Sequence, residues 1–378
     1  YIVVAYVLLP LYYRLRLVSI YTYLEKRFGL YTYRTGAVFF LVSKLFGAAA
    51  RLYVITLILQ ELVFAPLGVP YSLTVVGVVG IIWLYTQRGG MGTIIWTDVL
   101  QTLCLITTLV LIIYQLSSQL GLDFSGMIDV VRHSEHNRIF VFDDWGSPLN
   151  FWKQLISGAF IVIVMTGLDQ NMMQKNLTCR NLREARRNML SYGFGFIPLN
   201  FLFLTLGILL VYYAGAKGIA LPEKTDSILP YLASNHLGSW VLICFTLGIT
   251  AASFSNADSA LTSLTTSVCT DLLGMDMKGG KSEKDLRHWI HLGICIAFAL
   301  MVLIIGSLQQ TSLLKTIYTA VSYTYGPLLG FFAFGLITKY PIRDCFTPYI
   351  ALASPLVSYL LALSLIHISE PTRQAEIS

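Results

Sequence analysis

VLICFTLGITAASFSNADSALTSLTTSVCTDLLG, residues 241–274, starts as an apolar block and then fills with hydroxyls, Asn256 and Asp258. The apolar part, 241–254, falls short of the roughly 20 residues a helix needs to cross a bilayer only because polar residues interrupt it. On a helix, Ser255, Ser259, Thr262 and Thr266 stand at i, i+4, i+7 and i+11 and form one stripe. Two readings of that stripe stand side by side. Hydroxyl and amide oxygens at this spacing are hard ligands that suit a small alkali cation such as sodium. Ser and Thr also join helices to one another inside membranes. Asp258 favours the first reading, because an ionisable group within a membrane helix is costly and marks function.

The rest of the chain places that run in a bilayer. Of 378 residues, 56% are hydrophobic and 12% charged, whereas soluble domains carry about 25% charged residues. Apolar blocks recur at 35–64, 70–87, 93–116, 155–168, 194–213, 241–254, 290–307, 316–338 and 346–366. With a partial span in the opening IVVAYVLLPLYY they predict ten spans of an all-α polytopic membrane protein. Continuous runs of this kind exclude the alternating, roughly 10-residue strands of a membrane barrel.

Charge orients the spans. One set of loops carries Arg14, Arg16, Lys26, Arg27, Arg34, Arg88, Lys175, Arg180, Arg183, Arg186, Arg187, Lys278, Lys281, Lys284, Arg287, Lys339 and Arg343. The alternate set carries only Arg132, Arg138, Lys217 and Lys224. Seventeen against four places the first set in the cytoplasm. The basic clusters are thus topology signals and not a nucleic-acid surface, and the expected location is the cell (inner or plasma) membrane. Residues 14–34, with SIYTYLEKRFG, read as an amphipathic interfacial segment. The outer loop 118–150 has room for a short helix.

Three further polar groups lie inside or beside spans. In GGMGTIIWTDVLQ (89–101), Asp98 sits one to two turns into a span with Gln101 on the same face; the alternative is an acid at headgroup depth. In MTGLDQNMMQKNL (165–177), Gly167 interrupts an apolar helix just before Asp169 and Gln170. That pattern predicts either unwound backbone lining a cavity or simply the cytoplasmic helix end. In VSKLFGAAARLYVITLILQ (42–60), Lys44 is close enough to the inner surface to snorkel. Arg51 is deeper, and its guanidinium needs a carboxylate: a substrate's, or that of Asp98, Asp169 or Glu61.

Other patterns carry no chemistry. MDMKGGKS (275–282) lacks the first Gly of a phosphate loop and has no strand before it. HSEH (133–136) and HWIH (288–291) have no further ligands nearby, so no transition-metal site is expected. The six cysteines, none in a CxxC pair, read as small core residues. No nucleophile elbow, dinucleotide fingerprint or catalytic carboxylate pair appears, so the chain does not read as an enzyme. LSLIHISEPTRQAEIS at the end resembles translated adapter sequence. The expected organisation is one partial transmembrane domain over 1–365 and a non-native tail over 366–378.

YTYLEKRFG (21–29), GGMGTIIWTDVLQ (89–101), GLDQNMMQKNLTCRNLREA (167–185), FSNADSALTSLTTSVCTDLLG (254–274) and SYTYGPLLGFF (322–332) resemble, in this order, the sodium:solute symporter family. That family includes sodium/glucose, proline and pantothenate cotransporters. The resemblance spans about residues 1–365. It implies a leucine-transporter-type bundle of two inverted five-helix repeats, here lacking its first core helix, with 1–13 as the end of the second and 254–274 as half of the eighth.

The same resemblance implies a main sodium site on Ser255, Asn256 and the Ala252 carbonyl, with Asn256 in place of the usual hydroxyl residue. The second ion site of some members maps to Asp98, Asp258 and Ser259. Substrate positions map to Arg51, Met165, Thr166 and Tyr318. Met165 and Thr166 replace the aromatic pair of sugar carriers and Tyr318 their Gln, which disfavours sugar. Arg51 matches the carboxylate-binding Arg of sialic-acid-type members, which favours an organic anion. The implied function is import of a small solute driven by sodium through alternating access. A second class, the symporter-like sensor domain of a histidine kinase, shares these motifs.

Overall fold

A computed structural model describes residues 1–15, 17, 19–87, 91–134, 140–147, 149–222, 227–275, 280–307 and 311–375; the side chains of 91–94, 253, 281, 311–320, 322 and 362–375 lie outside the described set. The described elements are helical apart from one isolated bridge, Val141 to Asn150. In chain order they are α1 (Leu9–Leu15, after a π turn Val4–Leu8), α2 (Thr22–Arg27), α3 (Leu30–Leu59, ending in a π turn Gln60–Phe64) and α4 (Tyr71–Thr86). Then come α5 (Met91–Leu120), α6 (Phe124–His133), α7 (Phe151–Val162, with a π turn Ile163–Gly167), α8 (Gln170–Leu177) and α9 (Leu182–Lys217). The last are α10 (Ile228–Asn235), α11 (Ser239–Ser267, with a π turn Val268–Leu272), α12 (Lys281–Ser307), α13 (Thr311–Ile337) and α14 (Thr347–Ala375).

Five of the described helices are long and apolar enough to cross a membrane, and the bent pair Phe151–Gly167 plus Gln170–Leu177 would make a sixth. Three shorter apolar segments, Val4–Leu15, Tyr71–Thr86 and Tyr323–Ile337, cover further expected spans. The tenth block falls on α14, whose side chains from 362 onward are outside the described set.

Two compact units share the chain: the first is Tyr1–Ala5, Arg51–Val162 and Arg183–Ser259, the second Tyr6–Ala50, Ile163–Leu182 and Ala260–Ser378. The first unit is cored by α5, α9, α10 and the start of α11. Leu109, Ile112, Ile113 and Leu116 recur at helical spacing and bury one stripe of α5. That stripe belongs to one cluster with Leu206, Leu209, Leu210 and Tyr213 of α9 and Val241 and Phe245 of α11. The Thr108 hydroxyl donates to the Cys244 carbonyl at 2.9 Å. Gly248, one turn further, keeps that approach open, since a Cβ there would come within 2.8 Å of Thr108 Oγ1. Small residues at helix contacts are what a bilayer demands, because lipid supplies no hydrophobic drive between helices.

In the second unit, residues 14–34 depart from the expected interfacial segment. Ile20, Tyr21 and Leu24 are fully buried. The Tyr21 ring lies 5.5 Å from that of Phe40, and Tyr23 stacks on Phe332 at 5.5 Å. The mixture of apolar and charged residues that suggests a membrane surface serves instead to pack against protein. Arg27 donates to the carbonyls of Thr338 and Tyr340, at 2.8 and 3.1 Å.

The turn from α2 into α3 uses Gly29 at φ +137, a region that L side chains rarely adopt. Directly beyond it, Asp344 accepts from the Tyr31 and Thr32 amides, each at 2.8 Å, and from the Thr32 hydroxyl at 2.5 Å. A carboxylate more than 300 residues away thus satisfies two of the orphan donors that begin α3.

Candidate functional site

The polar run from Ser255 to Asp271 sits on α11 and its terminal π turn. Its hydroxyls mostly bond backward onto the helix: Thr265 donates to Leu261, Thr266 to Thr262 and Thr270 to Thr266. Buried carboxylates are engaged in three places, two of them on this run and one at the helix break before α8.

The first place lies in the first unit. The Ser255 hydroxyl donates to Asp98 Oδ1 at 2.6 Å, joining α11 to α5. Three residues on, Asp258 is fully buried and accepts at Oδ2 from the Tyr85 hydroxyl at 2.8 Å. Ser259 is buried beside it at 3% exposure. Asn256 is exposed, and its amide donates to the Ala252 carbonyl at 3.1 Å. Gln101, one turn after Asp98, has a buried Oε1 with no hydrogen-bond partner among the described residues. The first unit therefore collects Asp98, Ser255, Asp258 and Ser259 on α5 and α11, with Tyr85 of α4. Tyr85 was not foreseen, because a tyrosine in an apolar span reads as part of an aromatic belt.

The second place is the helix break in the second unit. α7 ends in a π turn at Gly167, and α8 starts at Gln170 after a 62° bend. Broken backbone needs partners in a bilayer, and they are present. Tyr12 donates its hydroxyl to the Gly167 carbonyl at 2.8 Å, and Tyr21 does the same to Leu168 at 3.0 Å. The Ile20 amide donates to Gln170 Oε1 at 3.0 Å. Asp169 caps α8, accepting at Oδ1 from the Asn171 amide at 2.8 Å. Its Oδ2 receives the Lys44 ammonium at 2.8 Å. Lys44 is 8% exposed, so it does not snorkel as expected; it turns inward to the carboxylate that the break exposes. Of the three acids considered for Arg51, Asp169 is therefore taken by Lys44. Arg51 itself is half-buried and belongs to the first unit.

Of the mapped substrate positions, Thr166 is buried in the π turn of this break and Met165 is 41% exposed. The Tyr318 side chain lies outside the described residues.

The third place was not anticipated. Asp271, 2% exposed, accepts from the Ser267 hydroxyl at 2.6 Å and the Tyr33 hydroxyl at 2.9 Å. It holds the end of α11 to the start of α3 within the second unit. Its presence in the quoted run was the only sequence signal.

No group of three or more His, Cys, Asp or Glu that would hold a metal occurs among the described residues. His291 of the HWIH pair shares a 2.8 Å hydrogen bond with Thr265 instead. HSEH falls outside the described residues at 135–136, and MDMKGGKS does so at 276–279.

The helix content and the apolar spans, one of them broken and lined by buried ionisable groups, define a polytopic helical membrane protein. Known proteins narrow the class. The family model for the sodium:solute symporter family matches residues 1–340, and the chain belongs to that family.

The human sodium-coupled monocarboxylate transporter 1 is 25% identical over 359 residues, covering 90% of this chain and 56% of that protein. The human sodium/iodide cotransporter is 24% identical, covering 92% and 54%. The rabbit sodium-dependent multivitamin transporter is 28% identical, covering 88% and 52%. The chain thus spans about half the length of the curated relatives it matches. A solved structure of a sodium-coupled sialic acid symporter, in a substrate-bound outward-open state, superposes with a TM-score of 0.74 at 20% identity. It covers 89% of this chain and 70% of that one, and the likeness supports the shared fold.

Proposed function

We propose that this chain is the core of a sodium-coupled symporter that imports a small organic anion across the cell membrane by alternating access. One observation carries the ion-coupling part: Asp98 and Ser255 at 2.6 Å, next to buried Asp258 and Ser259. Two carboxylates with hydroxyls on facing helices form a hard-oxygen set, and alkali ions are bound by such sets. Gln101 Oε1, without a hydrogen-bond partner among the described residues, adds an oxygen one turn away. Sodium is cargo here, not a resident cofactor. Asp98, Asp258 and Ser259 are the proposed ligands of one ion, and Ser255, Asn256 and the Ala252 carbonyl part of a second set. In the geometry described, Ser255 serves Asp98 while Asn256 bonds to Ala252, so ion entry would exchange these internal bonds for ion contacts.

The energy available is about 2.3 kcal/mol per sodium per 100 mV of membrane potential. Coupling requires only that sodium favour one state of the carrier over the other. The preference for an anion rests on Arg51 and on relatives whose names specify monocarboxylate, iodide and sialic acid. The multivitamin relative leaves the solute class broader.

The test is uptake by the full-length protein in proteoliposomes with an imposed sodium gradient, comparing labelled lactate with labelled glucose. Sodium-dependent lactate uptake is expected, with half-saturating sodium raised several-fold by Ser255→Ala. Uptake that ignores sodium would end the proposal, and uptake of glucose alone would end its anion part.

A further inference from the structure

A cavity of about 540 Å³ opens in the second unit between Phe28, the Gly326–Gly330 face of α13, and Phe346 and Ile350 at the start of α14. Its size falls within the roughly 300–1,000 Å³ of small-molecule sites. The width comes from missing side chains: a Cβ built on Gly326 or on Gly330 would meet nothing within 4 Å. The walls are aromatic and aliphatic, and Arg343 stands among the lining residues as the cation.

Arg343 is exposed, and among the described residues its guanidinium has no hydrogen-bond or ion-pair partner. The adjacent acid does not neutralise it, because the Asp344 carboxylate is committed to the amides of Tyr31 and Thr32. Arg343 also belongs to the basic loop set that charge asymmetry assigns to the cytoplasmic face.

An apolar slot in a membrane protein, on the side that charge asymmetry assigns to the cytoplasm and with one guanidinium uncommitted among the described residues, has a definite complement. We propose that the cavity binds an anionic phospholipid of the cytoplasmic leaflet, one acyl chain lying against Gly326 and Gly330 and the phosphate pairing with Arg343. Guanidinium matches phosphate oxygens in a bidentate way, and basic pockets between membrane helices on this face are suited to anionic headgroups. The chain segment fills space that glycines leave open, while the head satisfies the one cation of the lining. Neither the ion-binding residues on α5 and α11 nor the helix break takes part.

The experiment is native mass spectrometry of the full-length protein in detergent, titrated separately with phosphatidylglycerol and phosphatidylcholine of identical acyl chains. Wild type is expected to retain phosphatidylglycerol more tightly than phosphatidylcholine. Arg343→Ala should weaken phosphatidylglycerol by about fivefold, the worth of one basic residue near an anionic surface, and leave phosphatidylcholine unchanged. Gly330→Leu, which fills the slot and improves helix propensity, should weaken both, with Tm showing that the variant is folded. Equal retention of the two lipids by wild type would overturn the proposal, as would retention indifferent to both substitutions. So would dimers that vanish with Gly330→Leu, since a second copy would then occupy the slot. A full-length protein that binds neither lipid would mean that another part of the longer chain covers it, and would overturn the proposal too.

Discussion

Lys44 Nζ lies 2.8 Å from Asp169 Oδ2, although the residues are 125 positions apart in sequence. Both side chains are more than nine-tenths buried, at 9% and 4% exposure. The pair ties α3 to the point where α7 gives way to α8. The same carboxylate caps α8, so one side chain both neutralises a buried cation and starts a helix.

Removing one member strands the other. Lys44→Met should destabilise the folded protein by about 3–5 kcal/mol, the usual result of leaving an uncompensated buried charge. Lys44→Met with Asp169→Asn should recover a large part of that loss, because no charge is then left buried. Thermal unfolding in detergent of both single variants and the double variant measures the coupling. Additive losses would show that the two groups do not interact.

Tyr85 is expected to matter through Asp258 alone. Tyr85→Phe keeps the ring and its edge contact with Phe254, 6.4 Å between centroids, and removes only the donor to the carboxylate. Loss of a hydrogen bond to a charged group costs about 1.5–3 kcal/mol. If Asp258 is an ion ligand, the same variant should also shift half-saturating sodium in uptake assays. A stability loss with unchanged sodium dependence would assign Asp258 a structural role.

Asp344→Ala should fray the start of α3. The Tyr31 and Thr32 amides lose their acceptor, while the Thr32 hydroxyl keeps that of Thr347, and removal of a capping carboxylate costs about 0.5–2 kcal/mol. Hydrogen exchange of the amides of residues 31 and 32 should accelerate, while the middle of α3 stays protected. Unaltered exchange at these two positions would show that the cap contributes nothing.

The sequence disclosed the helical class, the polar character of α11 and the carboxylate at Asp98, and at Gly167 it left a broken helix and a plain helix end as alternatives. Each shows itself as a local departure from a strong apolar background. What it concealed were partners. Lys44 lies near a span end, so position alone suggested water; the direction it faces depends on a carboxylate from a distant helix. No pattern in the sequence singles out Tyr12, Tyr21, Tyr33 or Tyr85 as donors. Their hydroxyls are specific donors to the broken backbone and to buried acids, and only tertiary geometry reveals that. Residues 14–34 misled for a related reason: an amphipathic pattern states that one face must be covered, not whether lipid or protein covers it.

The clasp at the head of α3 bears on biogenesis. The Thr32 amide and Asp344 are separated by 312 positions, so during synthesis α3 emerges with the amides of Tyr31 and Thr32 unclaimed until the loop before α14 has been made. Loop-closure entropy delays contacts of this span. The second unit should therefore remain incompletely locked until residue 344 has been made, and ribosome-bound intermediates halted ahead of that residue should be more readily attacked by protease near residues 28–32 than released protein.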